Sequence, residues 1–117
     1  MKLSSVFDKN LGVELEVIIG ENALDNWNII SISNRNDLWF HIDGLPSSHI
    51  ILQVPKKYIN KIISEQTLLY CSELCKKNSR YKNNKNIKVI YTEIKNITKG
   101  NKAGEVIAKQ TKFISIK

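Results

Sequence analysis

A pair of strand-like segments constrains the fold of this chain more than any other feature. Residues 37–42 are rich in aromatic and branched side chains, and residues 48–54 form a second apolar run that stops at Pro55. Only residues 43–47 separate the two, and Asp43-Gly44 is typical of a turn. Because parallel strands need a crossover of about a dozen residues, so short a connection predicts an antiparallel pair.

Further strand-like and helix-like segments flank this pair. Val13–Ile19 alternates apolar and acidic side chains before it becomes fully apolar, which favours a half-buried strand. Residues 23–33 place apolar side chains at helical spacing behind Asn22, which can cap a helix, although the isoleucines there also suit a strand. The remaining predicted strands are residues 87–92 and a closing hairpin of residues 105–109 and 111–116.

The clearest helix signal follows Ser64, which can cap the helix N-terminus. Apolar side chains then recur every three or four residues from Leu68 to Cys75. Cys71 and Cys75 share one face of this helix, and no further metal ligands follow at the usual spacing. We therefore expect buried or half-buried free thiols, and we predict no metal site and no cofactor.

The order of these elements, β-α-β-β-α-β-β-β, predicts an α+β fold. Since strands mostly follow strands directly, we expect a largely antiparallel mixed sheet with two helices packed on it. A length of 117 residues fits one ordinary domain, and a single domain over residues 1–117 is expected.

Hydropathy and the N-terminal sequence bear on location. No apolar run approaches the roughly 18–20 residues of a membrane-spanning helix, so no membrane insertion is predicted. The first residues lack the pattern of an export signal. The expected location is therefore cytoplasmic, with the nucleus as the alternative.

The charges are divided unequally along the chain. Residues 1–55 carry three Lys or Arg against seven Asp or Glu, whereas residues 56–117 carry fifteen against four. A basic surface of this kind binds nucleic-acid backbones through counterion release, and a solvated lysine-rich face is the alternative. The residues that we expect to contact phosphates are Arg80, Lys82, Lys95, Lys99 and Lys102.

The two histidines lie on the predicted strand pair. If the strands pair across the short turn, the rings of His41 and His49 face the same region, with Ser48 beside them. One interpretation is a polar cluster that contacts a phosphate or a base edge. The alternative is a pair of structural histidines that hold the hairpin together. Ser48, His49 and Asp37 are merely close in sequence, so no catalytic residue is predicted.

Residues 100–104 form a basic loop between strands. Two of its five residues are glycines, and backbone amides in such a loop can meet a phosphate. The spacing of a nucleotide-binding P-loop is absent, so the pattern alone favours an ordinary hairpin turn.

Several motifs resemble one known family. Residues 37–41 (DLWFH) and 47–51 (SSHII) are similar to the D-x-W-[FL]-H … [GS]-S-H-[VI]-[VI] signature of the NFACT-R domain. The other similar stretches are Gly20-Glu21-Asn22 with Asn26, residues 89–92 (VIYT) and residues 95–106 (KNITKGNKAGEV). Ser47 stands where many members have glycine, Lys82 about where arginine is common, and Ala103 where they have proline.

The resemblance implies an RNA-binding domain of the small stand-alone type. Members of the family include factors of ribosome-associated quality control, so the implied partner is RNA, either tRNA or rRNA, and with it the ribosome. DNA is a further candidate. An RNA-modifying or processing enzyme that uses His41 and His49, and a protein-interaction module, are the alternatives. The expected nucleic-acid-binding residues are His41, Ser48, His49, Arg80, Lys82, Lys95, Lys99 and Lys102.

Overall fold

A computed structural model describes residues 1–117 and confirms the α+β class. The helices are α1 (Ala23–Ile32) and α2 (Glu65–Lys77), and the strands are β1 (Lys2–Asp8), β2 (Val13–Ile19), β3 (Leu38–Ile42), β4 (Ile50–Leu52), β5 (Ile87–Glu93), β6 (Ile97–Lys99), β7 (Val106–Ala108) and β8 (Lys112–Ile116). Six strands form one sheet in the order β1-β2-β4-β3-β5-β8, and β6 pairs with β7 separately. Every strand pair is antiparallel.

The central strand pair is the antiparallel hairpin that the short connection predicts. Leu38 lies opposite Leu52 and Phe40 lies opposite Ile50 in the β3–β4 register. Continuing this register by one residue places His41 opposite His49. The two histidines therefore lie side by side at the end of the sheet, next to the β3–β4 connection.

The large sheet is covered on both faces. Alternation along β3 sends Phe40 and Ile42 into a core with α2, and it sends Trp39 into a smaller cluster with Ile29 and Ile30 of α1. The β6–β7 hairpin packs on this smaller cluster too. One end of the sheet is thus enclosed by α1 and the β6–β7 hairpin on one face and by α2 on the other.

Both helices begin at the capping residues expected from the sequence. The Asn22 side chain accepts a hydrogen bond from the Asp25 backbone N–H at 2.8 Å, so residues after it form a helix and not a strand. The Ser64 hydroxyl accepts from the Thr67 N–H at 3.2 Å. The Ser64 N–H in turn donates to the buried carboxylate of Asp8 at 2.9 Å, which ties α2 to the β1–β2 hairpin.

The thiols of Cys71 and Cys75 are free and buried under the sheet, as expected. Burial raises the pKa of the Cys71 thiol, so it stays protonated and unreactive. Neither helix is long and apolar enough to cross a membrane.

Two strands were not predicted from the sequence. One is β1, an edge strand that pairs only with β2. Its central Ser4 and Ser5 interrupt the apolar pattern, and its Leu3 and Phe7 stay exposed because no element covers them. The other is β6, which is three residues long and carries no readable alternation.

The predicted closing hairpin is wrong. The predicted segments form strands, but β7 pairs with β6 and β8 pairs with β5. The chain turns between them at Gln110, which has a φ of 53° in the left-handed region. The Thr92 hydroxyl donates to the carbonyl oxygens of Lys109 and Gln110 at this bend. The bend directs the two strands into different sheets.

Candidate nucleic-acid-binding cleft

An open cleft of about 860 Å³ lies at the end of the sheet where the β3–β4 connection runs. Four parts of the chain meet there: the N-terminus of α1, the β3–β4 connection, the segment after α2 and the β6–β7 loop. Five of the predicted nucleic-acid-binding residues line this cleft, namely His41, Ser48, His49, Arg80 and Lys82. The other lining residues include Glu21, Asn22, Asn26, Ser47, Asn78, Ser79, Ala103 and Gly104.

The beginning of α1 is fastened to the sheet through Asn26. Its side-chain oxygen accepts a hydrogen bond from the His49 backbone N–H at 3.2 Å, and the Gly20 N–H donates to the His49 carbonyl at 3.0 Å. A Cβ atom on Gly20 would lie 2.0 Å from that oxygen of Asn26. Glycine is therefore required at position 20, because any side chain would push Asn26 away from the sheet.

His49 serves mainly as a structural link. The Trp39 indole N–H donates to Nδ1 of His49 at 3.0 Å, so this nitrogen carries no proton and the ring is neutral. Burial lowers the pKa of His49 to about 3, the nearby His41 adds to this shift, and a hydrogen bond with the backbone of Gly104 opposes it. Only 2% of the residue is exposed. His49 thus links β3 to the start of β4 through Trp39 and lies beside Gly104 of the β6–β7 loop.

His41 is oriented differently and keeps one nitrogen available. Its ring stacks on Trp39 with centroids 5.6 Å apart and meets the His49 ring edge-on at 4.9 Å. Nδ1 lies 2.6 Å from the Ile42 carbonyl oxygen, which can only accept, so Nδ1 bears the proton. Nε2 makes no hydrogen bond within the protein. Since every buried side-chain nitrogen and oxygen has a partner, Nε2 is open to the cleft as an acceptor.

The pKa of His41 is also lowered, chiefly by burial, against the opposing effects of the Ile42 hydrogen bond and the Asp43 charge. Both histidines are therefore neutral at pH 7. The floor of the cleft accepts and donates hydrogen bonds without adding positive charge. The histidines therefore offer hydrogen-bonding groups to a ligand, whereas the cationic side chains around them offer positive charge.

The serines of the β3–β4 connection hold the wall of the cleft in place. The Ser47 hydroxyl accepts from the Ile42 N–H at 3.1 Å and donates to the Ser48 carbonyl at 3.2 Å. The Ser48 hydroxyl donates to the carbonyl of Asn78, at the end of α2, at 3.4 Å. These contacts fix the position from which the chain continues to Arg80.

The geometry does not assemble a nucleophile–base–orienter set from Ser48, His49 and Asp37. The Ser48 hydroxyl bonds to Asn78, and Nδ1 of His49 is occupied by Trp39. Both oxygens of the buried Asp37 carboxylate accept from backbone N–H groups, those of Asn34 and Val54. Asp37 therefore anchors the start of β3.

The charges around the cleft are arranged unequally. Arg80 and Lys82 line the cleft, and neither forms an ion pair with a carboxylate. Glu21 is the one acidic residue in the lining, and its carboxylate lies 3.4 Å from the Met1 amino group, which offsets its charge. The cleft therefore combines two unpaired cations with a neutral polar floor.

The three remaining predicted lysines do not line the cleft. Lys95 forms an ion pair with Glu93 at 3.6 Å. The Lys99 ammonium contacts the Ser31 hydroxyl and lies 5.6 Å from the centre of the Trp27 ring. Lys102 is in the β6–β7 loop, directly before Ala103, which does line the cleft. Phosphate contacts by these three residues stay predictions.

The role of Asn26 was not predicted, although this residue lies in the first stretch that resembles the NFACT-R family. Its role depends on the backbone N–H of His49, directly before β4 and more than twenty residues away in sequence. The β6–β7 loop was correctly expected to be a hairpin turn, but its position beside the cleft follows only from the packing of β6 and β7 against α1.

Comparison with known proteins agrees with this architecture. The family described as "NFACT protein RNA binding domain" matches residues 5–113. The chain therefore belongs to the NFACT-R family, as its motifs indicate. The C-terminal part of the fibronectin/fibrinogen-binding protein from Streptococcus suis has the same fold, with a TM-score of 0.81 at 22% identity over 99% of this chain and 45% of that chain.

Two curated relatives illustrate the range of the family. Coiled-coil domain-containing protein 25 of Danio rerio is 34% identical over 85 residues, which cover 71% of this chain and 41% of that protein. The Rqc2 homolog RqcH of Bacillus subtilis is 26% identical over 90 residues, which cover 76% of this chain and 15% of that protein. The match thus spans less than half of each of these relatives.

Proposed function

We propose that this chain is an RNA-binding module that contacts structured RNA, tRNA or rRNA, in translation or ribosome-associated quality control. Membership of a family described as RNA binding supports the ligand class. Similarity to an Rqc2 homolog supports the biological setting. The cleft supplies the binding surface in this proposal.

The convergence of Arg80 and Lys82 with His41 and Ser48 carries the proposal. Sequence motifs and basic residues that are distant along the chain line one cleft. Arg80 and Lys82 have no carboxylate partner within the protein, so their charges are available to phosphates. Such contacts release counterions, and affinity falls as the salt concentration rises.

A filter-binding titration with tRNA across a salt series tests the proposal. The double variant R80E/K82E is expected to weaken binding at least tenfold at moderate salt, because two phosphate contacts become repulsive. K56E/K57E is the matched control, with the same change in charge. Lys56 and Lys57 follow β4 and are not among the residues that line the cleft.

Equal losses in the two double variants would show that binding depends on net charge and not on the cleft, which contradicts the proposal. Absence of tRNA binding by the unaltered protein near physiological salt would contradict it as well. Single-stranded DNA, titrated in parallel, shows whether the site prefers RNA.

A further inference from the structure

We propose that the cleft receives one unstacked nucleotide, with its phosphate on Arg80 and Lys82 and its base edge or ribose on Asn26 and His41. This inference rests on the proposed function and makes it more specific. It identifies the ligand as a nucleotide withdrawn from a helix, and not as a duplex backbone lying across the surface.

Asn26 provides the first argument. Only 8% of the residue is exposed, and it lines the cleft. Its oxygen faces the His49 N–H, which fixes the orientation of the amide. The amide nitrogen has no partner within the protein and, since no buried side-chain nitrogen lacks one, it is accessible from the cleft. A buried amide thus presents unused N–H donors to an entering ligand.

His41 provides the complementary group. Its Nε2 is an unpartnered acceptor open to the cleft, because Nδ1 donates to the Ile42 carbonyl. Burial keeps the ring neutral at pH 7, so it favours a ligand N–H or O–H over a phosphate. A donor and an acceptor on one floor match the mixed pattern of a nucleobase edge or of ribose hydroxyl groups.

The charge distribution orients such a ligand. A phosphate is attracted to Arg80 and Lys82, the lining cations that have no carboxylate partner. A polyphosphate offers anionic groups alone and leaves the floor unused. A nucleotide is anionic at one end and neutral and polar at the other, which matches the cleft. The volume of about 860 Å³ is within the range of roughly 300–1,000 Å³ found for small-molecule sites.

In a duplex the Watson–Crick edge of each base is already used for pairing, whereas an unpaired nucleotide can present that edge to Asn26, which is 8% exposed, and to His41. A nucleotide from a single-stranded segment can enter. RNA is often recognised through such unstacked nucleotides. The same chemistry is present in a free mononucleotide, so the experiment separates these two sources.

The test compares a fluorescently labelled eight-nucleotide single-stranded RNA with a blunt RNA duplex of the same length, by fluorescence anisotropy at one salt concentration. The unaltered protein is expected to bind the single strand at least tenfold more tightly. Uridine and adenosine 5′-monophosphates serve as competitors, with inorganic phosphate and the nucleosides as controls. The mononucleotides are expected to compete better than phosphate or nucleoside alone, since only they contact both the cations and the polar floor of the cleft.

The variant H41F keeps the aromatic stack on Trp39 and removes the acceptor. It is expected to weaken single-strand binding about tenfold while leaving the salt dependence unchanged, because the phosphate contacts remain. If H41F fails to fold, NMR titration of the unaltered protein with a mononucleotide replaces it. Shifts centred on the backbone amides of Ser48, His49, Ala103 and Gly104 are then expected.

Equal affinity for single strand and duplex, with no effect of H41F and a clear effect of R80E/K82E, would overturn the inference and leave the proposed function intact. Tight mononucleotide binding without RNA binding would support the cleft assignment, identify free nucleotide as the source, and contradict the proposed function. Absence of all binding would contradict both.

Discussion

The Trp39 indole N–H donates a hydrogen bond to Nδ1 of His49 at 3.0 Å, across the two strands that the chain's most distinctive motif forms. This bond is buried, since Trp39 is 1% exposed and His49 is 2% exposed. It fixes the tautomer of His49 and so determines which side of the ring faces Gly104. A contact in the core thereby positions the floor of the cleft.

Replacing Trp39 with Phe is expected to lower the free energy of unfolding by about 2–4 kcal/mol. The change leaves Nδ1 of His49 buried without a donor and opens a small cavity. Urea denaturation at pH 7 measures this loss in the free energy of unfolding. Trp27→Phe is the matched control, because the Trp27 indole donates to the Glu105 carbonyl at 2.9 Å on the exposed surface. Equal losses for the two variants would contradict the assigned role of Trp39.

Stability should fall as the pH is lowered from 7 to 5. The pKa of His49 is about 3 in the folded protein and near 6.5 in the unfolded chain, so below pH 6.5 only the unfolded chain gains this proton. Protonation of this residue in the unfolded chain therefore lowers the free energy of unfolding by about 2 kcal/mol at pH 5. The pKa of His41 is shifted in the same direction.

His49→Asn should reduce this pH dependence, since its side-chain oxygen can still accept from Trp39 and does not titrate. Denaturant midpoints at pH 7, 6 and 5 measure the effect. The range stops at pH 5 because carboxylates such as Asp8, whose hydrogen bonds outweigh burial and lower its pKa, contribute only at lower pH. A variant as sensitive to pH as the parent would contradict the assignment.

Gly20→Ala should destabilise the protein by roughly 2–3 kcal/mol and weaken RNA binding as well. The new Cβ would stand 2.0 Å from the Asn26 oxygen and force the start of α1 away from the sheet. Gly44→Ala is the control: Gly44 has a φ of 73° and nothing within 4 Å of an added Cβ, so its cost is limited to about 1 kcal/mol of backbone strain. Thermal unfolding and tRNA binding are compared for both.

Lys95 and Lys99, which lie outside the cleft, are expected to contribute less to RNA binding than Arg80 and Lys82, which line it. K95E/K99E changes the charge as much as R80E/K82E does, yet Lys95 is paired with Glu93 and Lys99 packs against α1. A loss of about threefold is expected, against at least tenfold for the cleft variant. A larger loss for K95E/K99E would move the RNA-binding face to the outer side of α1 and the β6–β7 hairpin.

Local patterns in the sequence predicted much of the fold. The short β3–β4 connection implied an antiparallel pair, and this pairing brings His41 beside His49. Capping residues correctly located the starts of both helices. These features depend on residues close together in the chain, where backbone and side-chain preferences are decisive.

Long-range packing determined what the sequence did not reveal. The separation of β7 from β8 depends on Thr92 of β5, whose hydroxyl donates to carbonyl oxygens at the bend around Gln110. The positions of the basic residues also depend on long-range contacts. Arg80 and Lys82 reach the cleft because Ser48 fixes Asn78, whereas Lys99 faces α1. Charge along the chain therefore predicted a basic surface but not which of its cations line the cleft.

The salt dependence of tRNA binding by R80Q/K82Q shows whether the cations of the cleft contact RNA phosphates. Each phosphate contact contributes about 0.7–0.9 to the slope of log affinity against log salt concentration, so losing two contacts should reduce the slope by roughly 1.5 relative to the unaltered protein. K56Q/K57Q should leave the slope unchanged. A slope in R80Q/K82Q equal to that of the unaltered protein would contradict the account, because it would show that the cleft cations do not contact RNA phosphates.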